Sequence, residues 1–311
     1  MGLDLTIVAK VLITGGTGLI GSRLGKQLLS RGYEVVVLSR TKSAESPVKT
    51  CFWNPSKSKI PAEALDSVDF IIHLAGAGLA DKRWTSARKR EIVDSRVLPA
   101  GLLFEAIKER NIKPGAVISA SGIAYYGTIT SEKIFEEGDA AASDFLGSTC
   151  FRWEQAIDRF ESLGIRTVKL RTAVVLSSRG GALPKMLLPL RLGFGSALGS
   201  GRQYLPWIHV DDLCAIYLKA IEDNEMRGAY NAVAPEHISY RHLINQAAKL
   251  QNKKLWFPDV PAWFLRLLLG EMSGMLLKGS RVSSSKIQAA GFDFAYPALS
   301  TALHQLFMTR K

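Results

Sequence analysis

An apolar run, Lys10-Val11-Leu12-Ile13, leads directly into Thr14-Gly15-Gly16-Thr17-Gly18-Leu19-Ile20-Gly21. From Leu19 to Leu29 the apolar positions then recur at helical spacing. A G-x-x-G-x-x-G loop between a strand and a helix limits what the chain can build. Gly15 permits a tight turn off the strand. Gly18 removes a side chain, so that the backbone can approach a pyrophosphate. Gly21 lets the helix pack closely. The freed N–H groups and the positive end of the helix dipole favour an anion. An ordinary glycine-rich turn is the alternative, and the rest of the chain decides between the two.

Further strand-like runs follow: Val35-Val36-Val37-Leu38, Phe70-Ile71-Ile72-His73-Leu74, Ala116-Val117-Ile118-Ser119, Thr167-Val168-Lys169-Leu170 and Tyr230-Asn231-Ala232-Val233. Helical patterns separate them over 22–31, 85–110, 147–163 and 210–222, with Pro99 expected to kink or break the second. Near-continuous apolar strands alternating with helices predict a parallel sheet covered on both faces. The expected fold is therefore α/β, a Rossmann-type doubly wound sheet with a small C-terminal substrate lobe. Residues 10–233 form the nucleotide-binding domain, 234–311 form the small lobe, and 176–206 contribute to that lobe. The most apolar piece, 260–270, reads as a buried helix rather than an interfacial one.

The chain has 311 residues and a net charge of +12, spread widely apart from short clusters such as Arg88-Lys89-Arg90. No nucleic-acid motif accompanies this charge, so phosphate-bearing small molecules are the better match. No apolar stretch reaches the ~18–20 residues of a membrane span, and no membrane partner is expected. Cys51, Cys150 and Cys214 are far apart and show no metal-ligand spacing, which predicts no metal site and a reducing, cytoplasmic compartment.

In a sheet of this type the end of the second strand meets the adenine ribose, and an acidic residue there selects NAD. Here the strand ends Leu38-Ser39-Arg40-Thr41-Lys42, and Arg40 stands where the carboxylate belongs. Arg40, helped by Ser39, can bind a 2′-phosphate, so the expected cofactor is NADP(H). Arg23 is a candidate second cation. The expected cofactor-binding residues are Thr14, Gly15, Thr17, Gly18, Leu19, Ile20, Gly21, Ser39, Arg40, Leu74, Ala75 and Gly76. His73 reads as a strand-end histidine satisfied by the main chain.

Together these residues resemble the extended short-chain dehydrogenase/reductase superfamily, with Ser119-Ala120-Ser121 and Trp207-Ile208-His209-Val210-Asp211-Asp212 in the expected order. Arg83-Trp84-Thr85, Ser95-Arg96-Val97, Tyr125-Tyr126-Gly127, Gly199-Ser200-Gly201-Arg202-Gln203 and Gly270-Glu271-Met272 narrow the resemblance. They are similar to an atypical NAD-dependent epimerase subfamily that carries a C-terminal domain of unknown function. Some of its members are labelled cell-division inhibitors.

The resemblance implies a Ser, a Tyr and a Lys, with Tyr and Lys four apart on one helix. Aligned through Trp153-Glu154, Leu146 stands in place of the Tyr and Cys150 in place of the Lys. No Tyr-x-x-x-Lys occurs in the chain. Ser121 falls on the catalytic serine when counted from the strand; counted back from Tyr126-Gly127, that position is Gly122. The candidate catalytic residues are Ser121, Tyr125 and Tyr126, with Arg83, Arg96 or Arg202 as the cation beside a tyrosine. Arg83, Trp84, Arg202 and Trp207 are expected to grip a planar, anionic small-molecule substrate, although each Trp could equally fill the lobe interface. His209 reads as structural, and Asp211 or Asp212 as a helix cap. The apolar faces of 97–107 and 151–160 suit either a homodimer contact or the sheet. Two functions follow. One is an NADP(H)-dependent oxidoreductase or epimerase-like enzyme with an altered proton relay. The other is a non-catalytic NADPH-sensing regulator, for example of cell division.

Overall fold

The computed structural model describes residues 9–40, 48–55, 60–193, 195–256 and 258–308. The amino-terminal Met1–Thr6 stretch and the Thr41-Lys42 end of the second strand lie outside the described residues. The main sheet holds β1 (Lys10–Thr14), β2 (Glu34–Ser39), β3 (Lys49–Phe52), β4 (Phe70–His73) and β5 (Ala116–Gly122). Two later strands complete it. After β6 (Ile134–Phe135) the chain adds β7 (Arg166–Thr172). After β8 (Val174–Leu176) and β9 (Trp207–His209) it adds β10 (Gly228–Ala232). The spatial order is β10-β7-β5-β4-β1-β2-β3, and every pairing is parallel. The short strands pair apart from it, β8 with β9 and β6 with β11 (Arg281–Val282).

Alternation along the strands sends side chains to two cores. Val11 and Ile13 of β1 face one layer, and Leu12 faces the other. Helices α1 (Leu19–Ser30), α2 (Ala62–Leu65), α3 (Ser86–Glu109) and α4 (Phe145–Asp158) follow the early strands. Leu24 and Leu28 of α1 join the first core, while Leu103 of α3 and Ile157 of α4 join the second. The sheet is thus covered on both faces, as its apolar strands require. Of the two outcomes expected at Pro99, the break does not occur: helix α3 runs through it. The ring removes one intrahelical bond. Ala100, Leu103 and Ile107 are fully buried beyond it, and that packing holds the helix.

The later helices are α5 (Ala182–Met186), α6 (Leu188–Arg191), α7 (Val210–Glu222), α8 (Tyr240–Leu250), α9 (Ala262–Leu269), α10 (Gly274–Leu277), α11 (Ser285–Ala289) and α12 (Leu299–Met308). Helix α7 lies beside α1. Leu183, Leu190, Leu243 and Leu303 build a third core around Trp207. Helix α9 departs from the buried helix expected over 260–270: only Leu265 is buried, and Trp263, Leu267 and Leu268 are 60–70% exposed. No helix of the described residues is long and apolar enough to cross a membrane.

Candidate functional site

Strand β1 delivers the glycine loop to the carboxyl edge of the sheet. Gly15 has φ +69, and a Cβ there would lie 2.9 Å from the carbonyl carbon and oxygen of Leu74. Only glycine combines that turn with that approach. A Cβ on Gly21 would strike the loop itself, 2.5 Å from Gly16 Cα. Gly21 thus closes helix onto loop rather than helix onto strand.

Helices α3, α4, α7 and α8 all begin with a side-chain cap, from Thr85, Asp144, His209 and Ser239. Helix α1, with 12 residues, begins at Gly18 with no side-chain cap and no acid in its first turn. Its first N–H groups and its dipole are therefore directed at whatever binds beyond the loop.

A cavity of about 660 Å³ opens there, lined by Gly15, Gly18, Ser39, Arg40, Leu74 and Gly76 among others. Arg40 stands exposed at the end of β2 and lines this space. From α3, Arg90 adds a second cation, and Glu91 and Asp94 add carboxylates. A hydrogen bond from Arg88 holds the Glu91 carboxyl below its ordinary range, and Arg40 acts on it in the same direction. Arg90 is visible in the sequence only as part of a basic cluster. A smaller cavity of about 360 Å³ shares Thr17 and Gly18 and carries Arg23, Lys26 and Arg179. Arg23 is not a spare phosphate ligand: its Nε and Nη2 donate to Asp211 at 2.7 and 3.1 Å. That pairing also takes Asp211 away from capping.

Asp212 accepts N–H bonds from Ala295 and Tyr296 at 2.9 and 3.0 Å, tying the C-terminal segment to α7. The cap of α7 is His209, whose Nδ1 accepts from Asp211 N at 3.1 Å.

Thr14 supports the cleft instead of lining it. It is fully buried, and its Oγ1 accepts from Leu74 N and Ala75 N at 3.2 Å. His73 sits beneath, Nδ1 at 2.8 Å from Thr14 Oγ1 and Nε2 at 3.1 Å from the Arg96 carbonyl oxygen. A carbonyl only accepts, so Nε2 carries the proton and Nδ1 accepts from the threonine. Burial pushes the His73 pKa down to about 4, and the neutral ring fits this network.

The loop after β4 is fastened to α3. Ala77 N donates to Ser95 Oγ at 2.9 Å, Arg96 donates to Ala77 O at 3.1 Å, and Arg88 donates to Gly78 O. Arg88 thus holds the cleft wall together with Ser95 and Arg96, two of the residues behind the resemblance.

At the end of β5, Ser121 Oγ donates to Glu154 Oε1 at 2.7 Å. Arg171 of β7 grips the same carboxylate from Nε and Nη2, each at 2.9 Å. Tyr126 donates to Asn231 Oδ1 at 2.7 Å and accepts from Arg171 Nη1 at 3.0 Å. Burial pushes the Tyr126 pKa up to about 12, despite the guanidinium. The hydroxyls of Ser121 and Tyr126 are therefore spent within a buried network, which weakens their expected catalytic roles. Tyr125 is buried beside them, with the Arg171 Cζ 3.5 Å over its ring centroid. The cation beside the tyrosines is Arg171, not Arg83, Arg96 or Arg202. An arginine closing a strand, facing a glutamate one helix away, was the available signal. Leu146 and Cys150 are buried on α4, and burial pushes the Cys150 thiol up to about 12. That position holds a neutral group where a lysine would hold a charge.

The expected substrate residues do not converge. Trp207 is fully buried, its Nε1 donating to Glu236 O at 3.1 Å, so it fills the third core and has no face for a ligand. Trp84 donates to Leu79 O at 2.9 Å and meets Phe145 edge-on. Arg83 lies against Gly270, and Lys89 pairs with Glu271. These contacts clasp the small lobe onto the start of α3. Arg202 is exposed elsewhere on that lobe. Among the described residues no group of acidic, His and Cys side chains could hold a metal.

Residues 11–233 match the profile described as the NAD dependent epimerase/dehydratase family. The chain belongs to that family. This family member also matches, over 260–306, a domain of unknown function, DUF1731. It is 35% identical to Epimerase family protein YfhF of Bacillus subtilis, over 97% of this chain and 99% of that one. It is also 35% identical to Epimerase family protein SDR39U1 of Mus musculus, over 94% and 98%. A solved structure of human epimerase family protein SDR39U1 with NADPH superposes with TM-score 0.85 at 32% identity, covering 96% of this chain and 98% of that one.

Proposed function

We propose that this epimerase-family protein binds NADPH across the glycine loop and carries out a reduction or epimerisation of a small anionic molecule. The carrying observation is Arg40 at the end of β2, lining the cavity that the uncapped end of α1 also faces. The residues fit a dinucleotide. Gly18 and the first turn of α1 take the pyrophosphate. Leu74, Ala75 and Gly76 form the wall held by Thr14 and His73. Arg40 and Ser39, with Arg90 near, receive the 2′-phosphate. The NADPH in the human relative's structure supports the same choice. When bound, the nicotinamide exchanges a hydride with substrate.

Tyr125 is the phenol we assign to proton transfer. Arg171 fixes its ring from one face, while Tyr126 is committed to Asn231. The substrate lies between the sheet edge and the small lobe, where the Arg83–Gly270 and Lys89–Glu271 contacts close the entrance. A second reading, an NADPH-sensing regulator, is favoured by Leu146 and Cys150 on α4 and by the occupied hydroxyls of Ser121 and Tyr126.

Turnover separates the two. Purified protein is incubated with NADPH and a panel of carbonyl and sugar-nucleotide compounds, followed by absorbance and product analysis. The enzyme reading predicts conversion of at least one compound, reduced roughly 100-fold or more by Tyr125→Phe, as expected for loss of a general acid. NADPH binding without turnover, or turnover indifferent to Tyr125→Phe, would contradict that assignment.

A further inference from the structure

The small lobe exposes several large apolar side chains to water. On α9, Trp263, Leu267 and Leu268 are 66, 70 and 60% exposed. Trp256, before that helix, is 72% exposed, and Leu192, just past α6, is 64% exposed. These side chains come from adjoining segments. Val260 N donates to Ala197 O and Gly199 N donates to Val260 O, both at 2.9 Å. Lys253 Nζ reaches Arg191 O at 3.5 Å. Single exposed leucines are ordinary, but large apolar residues gathered on neighbouring segments mark a contact surface.

Along the segments that carry this surface the charge has one sign, although Lys185 lies 3.9 Å from Asp81. Residues 182–193, 249–258 and 261–269 contain Lys185, Arg191, Lys249, Lys253, Lys254 and Arg266 and no Asp or Glu. The nearest acid along the chain, Asp259, is paired with Arg241. A second copy of the chain, joined face to face, would set these cations against their own equivalents, and like-charge juxtaposition is costly. An anionic lipid surface meets both features. Exposed Trp and Leu enter the boundary between headgroups and acyl chains, and the surrounding Lys and Arg meet the headgroup charge.

We propose that the α9 face, with Trp256 and Leu192, seats this protein on an anionic lipid surface. The contact lies in the plane of the interface and needs no spanning segment, so it revises the sequence expectation of no membrane partner. Helix α9 runs straight into the turn at Gly270–Ser273, where Gly270 meets Arg83 and Glu271 meets Lys89. The lipid-facing helix therefore adjoins the clasp between the lobes.

Co-sedimentation of the full chain with vesicles tests this. Vesicles of phosphatidylcholine alone are compared with vesicles containing phosphatidylglycerol, at low and high salt. Two double variants are used, Trp263→Ser with Leu267→Ser, and Lys253→Glu with Lys254→Glu. None of the four positions lines the cavities beside the glycine loop, and circular dichroism checks the fold. The expected result is binding to anionic vesicles only, weakened by salt, and at least about tenfold weaker in each double variant. The proposal is overturned if wild-type protein ignores anionic vesicles at low salt, or if both double variants bind as well as wild type. It is also overturned if Trp263→Ser with Leu267→Ser abolishes self-association, or capture of an acidic protein, and leaves lipid binding intact.

Discussion

His73 shows how one side chain can organise a cleft that it never enters. Its neutral ring joins Thr14 on β1 to the Arg96 carbonyl on α3, and Thr14 then orders Leu74 and Ala75. The folded pKa of about 4 lies below the ordinary histidine value of 6.5. The unfolded chain therefore takes up a proton as pH falls through 6.5, while the folded chain resists until about pH 4. The stability associated with His73 is fully present above pH 6.5 and is lost as pH falls toward 4. The loss amounts to about 3 kcal/mol. Urea unfolding at several pH values should show the stability gap between wild type and His73→Gln shrinking by that amount from pH 7 to pH 4. A gap independent of pH would contradict a neutral, buried His73. The main-chain partner of this histidine is readable from its place at a strand end. The Ser121–Glu154–Arg171–Tyr126 network is not, because its members are far apart in sequence and only the packing of β5, β7 and α4 brings them together.

Among the elements, the β1–loop–α1 unit is the most legible, since its glycine spacing is set by backbone geometry within a dozen residues. Gly15 is its hinge. Gly15→Ala meets a left-handed φ and the Leu74 carbonyl together. It should cost at least about 1–2 kcal/mol of stability and sharply weaken NADPH binding. Gly164 has φ +74, and a Cβ added there would meet nothing within 4 Å. Gly164→Ala should therefore carry only the backbone cost and leave NADPH affinity unchanged. Equal effects of the two variants on affinity, measured by fluorescence titration, would contradict the role given to Gly15. The buried sheet strands announce themselves as apolar runs. The short β6–β11 and β8–β9 pairs do not, because each lasts two or three residues and depends on a distant partner. Helix α9 is legible as a helix, but its expected burial is wrong. An all-apolar segment looks the same whether it faces a core or an interface, and only its neighbours distinguish the two.

At the scale of the whole molecule, a dinucleotide-binding sheet carries a basic small lobe that closes against the start of α3. The net charge of +12 favours anionic ligands in solution, and the cavities flanking the glycine loop bring Arg40, Arg90, Lys26 and Arg179 to one edge of the sheet. The central claim is that this edge reads the 2′-phosphate through Arg40. Calorimetric titration of wild type and Arg40→Ala with NADPH and with NADH tests it most directly. The account predicts that wild type prefers NADPH. It predicts that Arg40→Ala weakens NADPH by roughly 10- to 150-fold, the equivalent of one charged hydrogen-bonded contact, and leaves NADH affinity nearly unchanged. Equal affinity of wild type for the two cofactors, or NADPH affinity untouched by Arg40→Ala, would contradict it.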